Sequence, residues 1–482
     1  MAAPGLGTWI ERRARRAPND VALLAAGTAF SNLELARRIR SFTAALAADG
    51  IVPGDRVAYH GVNHPAALIS LFAASAVGAI WVPIHAARRE DEVVTILRDA
   101  EPRLLVRAEP DTHPDAGVDE VDGDDLVAAD DDAPPPPDRD RAGDDLVILA
   151  YTSGTTGPPK GVMLSETNVL WNCIQMVAAC GIGSSDVALA AAPLTRIGGL
   201  GVTVLPTVFA GGAVVLPPAG DGSSVLATIE RDRVSVVFAN PDLLDAMVRA
   251  PGWADADLSS IRTGIVGGGL VPELLLRTYL DRGVRLRHGY GLTEAGPVVS
   301  VLDDRDAAER SATVGKPLPF VDVRAVRADG SVCDVGEIGA WLIRGPNVCA
   351  GYWGRPPLHD EAGWFPTGDL GSIDAEGYLT FLDRASSALR IGDATVYPAT
   401  VELLLYGTPG IADAAVAEVG GRLVAAVVLE PGADVDGADV LASLSGSLPA
   451  ASVPSEIRTV EAIPRNAAAK VRRDELSDIL RR

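Results

Sequence analysis

A chain of 482 residues exceeds the length at which one hydrophobic core keeps growing, so at least two domains are expected. It is 48% hydrophobic and 22% charged, a globular composition, and its net charge of −22 excludes an electrostatic grip on a nucleic-acid backbone. Cys173, Cys180, Cys333 and Cys349 form no CxxC pair and no metal-ligand spacing. They read as reduced thiols of a cytoplasmic protein, and MAAPGLGTWIERRARR lacks the apolar stretch of a secretory signal.

In chain order, Ser31-Asn-Leu-Glu34 reads as a capping box, after which Leu35, Ile39, Phe42 and Leu46 recur at helical spacing. DRVAYH follows as a strand. The apolar run from Ala66 to Ile84 is long enough to suggest a membrane span, but Gly78 and Pro83 divide it into a buried helix and a buried strand. Residues 111–145 are crowded with Asp and hold Pro134 to Pro137, and read as a mobile surface loop.

LVILA then reads as a strand and SETNVLWNCIQMV as a helix that Ser165 caps. Between them lies YTSGTTGPPKGV, Tyr151 to Val162. Gly154 and Gly157 let the backbone approach a ligand closely, Thr152, Ser153, Thr155 and Thr156 add hydroxyls, and Lys160 adds a point charge suited to phosphate. A plain turn needs neither the hydroxyls nor the lysine. The usual nucleotide loop differs, because Pro158 and Pro159 separate Gly157 from Lys160 here.

Further βα units follow: GGAVVLPP, SVLATIERDR, SVVFANP, LLDAMVRA and IRTGIVGGG. From about Val321 the texture changes to short strands and turns, and beyond Arg384 a small α/β unit closes the chain. The expected fold is α/β, with a large N-terminal domain over 1–383 made of parallel-rich subdomains plus a small β region. A small mobile α+β domain follows over 384–482.

In RHGYGLTEAG, Thr293 and Glu294 lie at a strand end beside glycines, where a carboxylate suits an Mg²⁺ ion bridging phosphates. Asp369 lies in a Thr-Gly-Asp turn able to accept from ribose hydroxyls, and Lys470 in AIPRNAAAKVRR is a cation in a small-residue loop. The ordered set YTSGTTGPPKGV, VGGG, HGYGLTE, GEIGAWLIRG…GYW, WFPTGDLG, RIGDATVYPATVE and PRNAAAKVRR resembles the adenylate-forming superfamily. That superfamily holds acyl-CoA synthetases, aryl- and fatty-acid ligases, luciferases and the adenylation domains of peptide synthetases. The resemblance spans essentially the whole chain.

It implies a two-step reaction with ATP, Mg²⁺ and CoA: a carboxylic acid becomes an acyl-AMP, and a thiol then displaces AMP. By the same resemblance, Thr152, Ser153, Gly154, Thr155, Thr156, Gly157 and Lys160 match the loop on the β- and γ-phosphates, Thr293 the α-phosphate contact and Glu294 the metal ligand. Gly267, Gly268 and Tyr290 match the adenine slot, with the Tyr290 ring face against the base, and Asp369 and Arg384 the ribose contacts. Lys470 matches the lysine that stabilises charge in the first step. Thr195, Arg196, Phe238, Ala239, Val266, His288 and Leu292 fall near the acyl group. Arg390 and Gly392 fall in the CoA tunnel, and Ser386 at the hinge about which the small domain pivots.

Three positions depart from the family pattern. Thr195-Arg196 replaces an aromatic-His pair, and an arginine there disfavours an α-amino acid because it repels the ammonium. Ser386 replaces Asp or Lys at the hinge, and Ala469 replaces the glycine before the lysine. CoA is the expected acceptor. Alternatives are a carrier protein's phosphopantetheine, thioesterification of a preformed adenylate only, and a non-catalytic adenylate-binding protein. The acid, the pathway and the oligomeric state stay open.

Overall fold

The computed structural model describes residues 5–108, 117–130, 133–136, 142–152, 158–218, 221–430, 432–465 and 471–481. Local chemistry sets many of its elements. Ser31 caps the helix Asn32–Ala48 through the full capping box with Glu34, and Ser165 caps Glu166–Cys180 with Asn168 closing the box. The apolar run splits as its glycine dictates. Pro65–Val77 is a wholly buried helix, Gly78 ends it at φ +88°, and Ile80–His85 is a strand. Pro83 does not interrupt that strand. Its pairing with the strand Leu146–Thr152 is made at Trp81 opposite Ile148. Among the described residues no helix is long and apolar enough to cross a membrane.

Two large sheets form the body. A six-stranded sheet runs Asp119–Asp122, Leu104–Ala108, Arg56–Gly61, Ile80–His85, Leu146–Thr152 and Lys160–Ser165. All neighbours are parallel except the last pair, a hairpin. A nine-stranded sheet is parallel from Leu286–Gly291 through Thr263–Val266, Val236–Ala239, Val187–Leu189 and Ala213–Leu216 to Val21–Ala25, with antiparallel strands at both ends. Helices cover the faces, as buried parallel strands require.

The β texture beyond Val321 is a four-stranded antiparallel sheet of Asp322–Val326, Gly339–Arg344, Phe365–Ile373 and Leu379–Arg384. After a single 3₁₀ turn at Ala385–Ser387, the chain builds a unit with its own core of Val396, Val401, Leu405, Val416, Ala425 and Leu444.

Where the structure describes it, the acidic stretch holds regular elements. Asp119–Asp122 adds an edge strand to the six-stranded sheet, and Asp122 caps the helix Gly123–Ala128. An edge strand asks only for backbone partners, so exposed acids are compatible with it. The helix needs one anchor, and Leu126, 3% exposed, supplies it.

Candidate active site

Backbone stitching gathers the distant motifs. The strand Lys160–Ser165 leaves the phosphate loop, and on its open side Met163 N donates to Gly351 O (3.0 Å) and Trp353 N to Gly161 O (2.7 Å). Cys349 N donates in turn to Glu294 O (2.7 Å). One short segment, residues 349–353, thus fastens the loop's exit strand to the 3₁₀ turn Thr293–Ala295. Its side chain Tyr352 completes the link. The hydroxyl donates to Glu294 Oε1 at 2.6 Å, and Lys160 Nζ stands 5.5 Å from the ring centre. Burial and then Glu294 raise the Tyr352 pKa, so the phenol keeps its proton and fixes the carboxylate.

The second gathering is cross-strand. Phe365–Ile373 and Leu379–Arg384 pair in a register that sets Asp369 opposite Arg384. Arg384 Nε lies 2.9 Å from Asp369 Oδ1, and Tyr290 donates to Asp369 Oδ2 at 2.5 Å. Asp369 is 2% exposed. Burial works against the Arg384 charge, but Asp369 and Glu294 outweigh it and raise its pKa. Tyr290 packs edge-on to Trp341 (5.0 Å) and tilted to Phe381 (5.9 Å). Gly267 adjoins this cluster, because a Cβ there would stand 2.8 Å from Gly289 O. Gly268 takes φ +81°, which suits glycine.

The acyl-side residues divide by sheet face. Phe238 and Leu292 lie on the side of the central core, and Thr195 is buried. The Phe238 ring faces two glycines: a Cβ on Gly198 would stand 3.7 Å from it, and one on Gly267 3.9 Å. Ala239 and Val266 instead pack on the other face, with Leu244, Met247 and Leu275. Successive strand residues point to opposite faces, so Phe238 and Ala239 cannot line one cavity with their side chains. His288 pairs in register with Val266, and burial holds its pKa down to about 4, so it is neutral.

A third group is cationic. Arg88 Nη2 donates to Tyr151 O at 2.5 Å, bracing the strand that runs into the phosphate loop. Arg196 precedes the short helix Ile197–Gly199 and lies within the electrostatic reach of Arg88 and His85. His85 Nδ1 accepts from Ala87 N at 3.0 Å, and burial, then Arg196, then Arg88, push its pKa down to about 4. The neutral ring therefore carries its proton on Nε2.

Other expected positions sit as follows. Thr152 pairs with Lys160 across the hairpin. Ser153, Gly154, Thr155, Thr156, Gly157, Ala469 and Lys470 lie outside the described residues. Ser386 is exposed in the 3₁₀ turn. Arg390 bonds Thr395 (3.0 Å) in the hairpin whose turn holds Gly392 at φ +60°. Arg465 and Arg473 are both engaged. Arg465 binds Asp413 (2.7 Å) and Tyr406 (2.7 Å), and Arg473 binds buried Glu402 (2.6 Å).

Sequence reading missed Tyr352, Arg88 and His85. A usable signal was the rule that ligands bind beyond the carboxyl ends of parallel strands, where His85 and Arg88 sit. Another was lysine scarcity. Only Lys160, Lys316 and Lys470 are lysines among 42 Lys and Arg residues, so a chain that defaults to Arg kept Lys at both positions singled out for phosphate chemistry.

Known proteins resemble the chain over its whole length. A family model described as AMP-binding enzyme matches residues 10–353, and one described as AMP-binding enzyme C-terminal domain matches residues 400–470. A feruloyl-CoA synthase of Amycolatopsis sp is 39% identical over 99% of both chains. An indoleacetate–CoA ligase of Aromatoleum aromaticum is 34% identical over 99% of this chain and 98% of the relative. Among solved structures, the o-succinylbenzoate CoA synthetase of Bacillus subtilis with its acyl-adenylate superposes with a TM-score of 0.87, at 29% identity and 98% coverage of both. The same enzyme with ATP and magnesium also gives 0.87, at 29% identity over 98% of this chain and 99% of that one.

Proposed function

The chain belongs to the AMP-binding enzyme family, and we propose that its acid is a flat aryl acid of the arylpropenoic or arylacetic type. The protein is an ATP-dependent acid–thiol ligase that makes an acyl-CoA through an acyl-adenylate, using ATP, Mg²⁺ and CoA. The observation that carries the acid class is the 39% identity, end to end, to an enzyme named for an aryl acid. The Phe238 ring, packed against Gly198 and Gly267, is an apolar aromatic surface that suits such an acid.

In the first step a carboxylate oxygen bonds to the α-phosphorus, and the bridging oxygen leaves with its electron pair as pyrophosphate. In the second the CoA thiolate attacks the acyl carbonyl and AMP leaves. Within this reading Thr293 meets the α-phosphate and Lys160 the outer phosphates. Mg²⁺ shared with phosphates needs only one or two carboxylates, and Glu294, aimed by Tyr352, fits that role. The ion supplies charge neutralisation on the phosphates when bound. Asp369, held by Arg384 and Tyr290, is the acceptor this reading assigns to the ribose hydroxyls.

The domain boundary falls at 383/384 in this reading, supported by the 3₁₀ turn that follows Arg384 and by the separate core beyond it. Arg390 and Gly392 then belong to the loop the small domain turns toward CoA.

Thioester formation from a panel of arylpropenoic, arylacetic, straight-chain and α-amino acids tests the acid class. The arylpropenoic acids are expected to give the highest kcat/KM and the amino acids none. A fatty-acid optimum would overturn the aryl reading.

A further inference from the structure

Asp383 is 6% exposed and ends the large domain in the reading above, yet its carboxylate bonds beyond the hinge. Oδ1 accepts from Arg384 N (2.6 Å), and Oδ2 accepts from Ala399 N (2.9 Å) in the first turn of the helix Pro398–Tyr406. That helix belongs to the small domain's own core through Val401 and Leu405. Between the two ends of the bond lie the 3₁₀ turn with Ser386 and the hairpin of Leu389–Ile391 with Ala394–Val396.

The helix needs this acceptor. Its N-cap residue, Tyr397, makes no side-chain cap, and Pro398 at the first position carries no N–H. Ala399 N is thus the first amide of the helix that needs a partner from outside it, and Ala399 is buried. A carboxylate there also meets the positive end of the helix dipole. The cap of a small-domain helix is therefore supplied from the other side of the hinge. Farther out, Arg249 Nη2, at the end of the helix Pro241–Arg249, lies 3.4 Å from Glu430 Oε1, just past the strand Arg422–Leu429. Both contacts pin the small domain in the arrangement observed. In it Arg390 and Gly392 are exposed, so the loop assigned to CoA faces water, as the first step requires.

We propose that Asp383 is a positioning residue that holds the small domain for adenylate formation, and that its bond to Ala399 N breaks before the thiol step. The inference rests on the ligase reading and on a pivot at Ser386. Ser386 is exposed and brings no charge of its own, whereas Asp383, three residues earlier, binds across the pivot. Asp383 touches no substrate and acts through the small domain that carries Lys470. The buried cap supplies most of the hold, because an exposed pair such as Arg249 with Glu430 contributes little.

The full-length enzyme tests this with Asp383→Ala, Asp383→Asn and Arg249→Ala. Two rates are read: acid-dependent exchange of pyrophosphate into ATP without CoA, and thioester formation from a synthetic aryl-adenylate and CoA. In Asp383→Ala the exchange should fall on the order of tenfold, while thioester formation holds or rises. Asp383→Asn keeps one acceptor oxygen and should lose less. Arg249→Ala, a surface change that leaves the fold intact, should shift the two rates the same way by a few-fold at most. Equal losses in both rates would reduce Asp383 to a structural prop and overturn the proposal. A loss confined to thioester formation would assign the bond to the second arrangement and overturn it too, as would two unchanged rates. A wild type that gives neither exchange nor thioester would sink the ligase reading instead.

Discussion

The two charged clusters are built in different ways. Around Asp369, each charge meets its counterpart: Arg384 and Tyr290 take its two oxygens, and Tyr352 holds Glu294. At the carboxyl end of the strand Ile80–His85, Arg88 lies 3.4 Å from Glu92 and braces Tyr151 O, while His85 is kept neutral chiefly by burial. The first cluster joins separate strands through side chains that meet charge to charge, and the second ties a strand end to its neighbour through one backbone oxygen.

Removing Asp369 should break the first cluster most. Asp369→Ala removes the ion-pair partner of Arg384 and the carboxylate to which Tyr290 donates. Losing one partner of a buried pair costs several kcal/mol, discounted here because the Arg384 side chain is 40% exposed. kcat/KM for ATP should fall on the order of 100-fold, by 2–3 kcal/mol-scale loss of binding (about), as steady-state kinetics would show. Asp369→Asn should recover part of it by keeping an acceptor. An Asp369→Ala enzyme with normal ATP kinetics would remove this cluster from the site.

Tyr352→Phe is a finer cut. It deletes the donor to Glu294, a hydrogen bond to a charged group worth about 1.5–3 kcal/mol. The Mg²⁺ concentration giving half-maximal rate should rise roughly tenfold or more. An unchanged Mg²⁺ dependence would mean Glu294 holds its place without Tyr352.

The order of these elements was largely legible in the chain. Capping boxes at Ser31 and Ser165 and the glycine break at Gly78 are local devices, and local chemistry set them. The cross-strand meeting of Asp369 with Arg384 could be named from motif order, but not the bond that occupies Asp369 beforehand. Face was readable and went unread, since adjacent Phe238 and Ala239 must point apart. The Asp119–Asp122 strand was hidden because backbone pairing leaves no mark in composition. Asn63 holds Leu194 N, a contact over more than a hundred residues that no periodicity encodes.

Acid gives the cluster around His85 a weaker probe. His85 titrates near pH 4 in the folded chain against an ordinary value of 6.5, chiefly through burial and then through Arg196 and Arg88. The unfolded chain therefore binds a proton more readily between those values, and stability contributed by this site falls as pH drops from about 6.5 to about 4. Denaturant midpoints at pH 7 and pH 5 should differ less in His85→Asn than in the wild type. The smallest effect is expected from filling the acyl side: Gly198→Ala places a methyl 3.7 Å from Phe238, ordinary contact distance, and should lower kcat/KM for aryl acids only a few-fold, ~1 kcal/mol.

The most direct measurement is aryl-acid-dependent exchange of labelled pyrophosphate into ATP, with Mg²⁺ present and CoA left out. Exchange that requires the acid and Mg²⁺, and that weakens in Asp369→Ala, is what the account predicts. Thioester formation without any acid-dependent exchange would contradict it, because no free adenylate and pyrophosphate would then lie on the path.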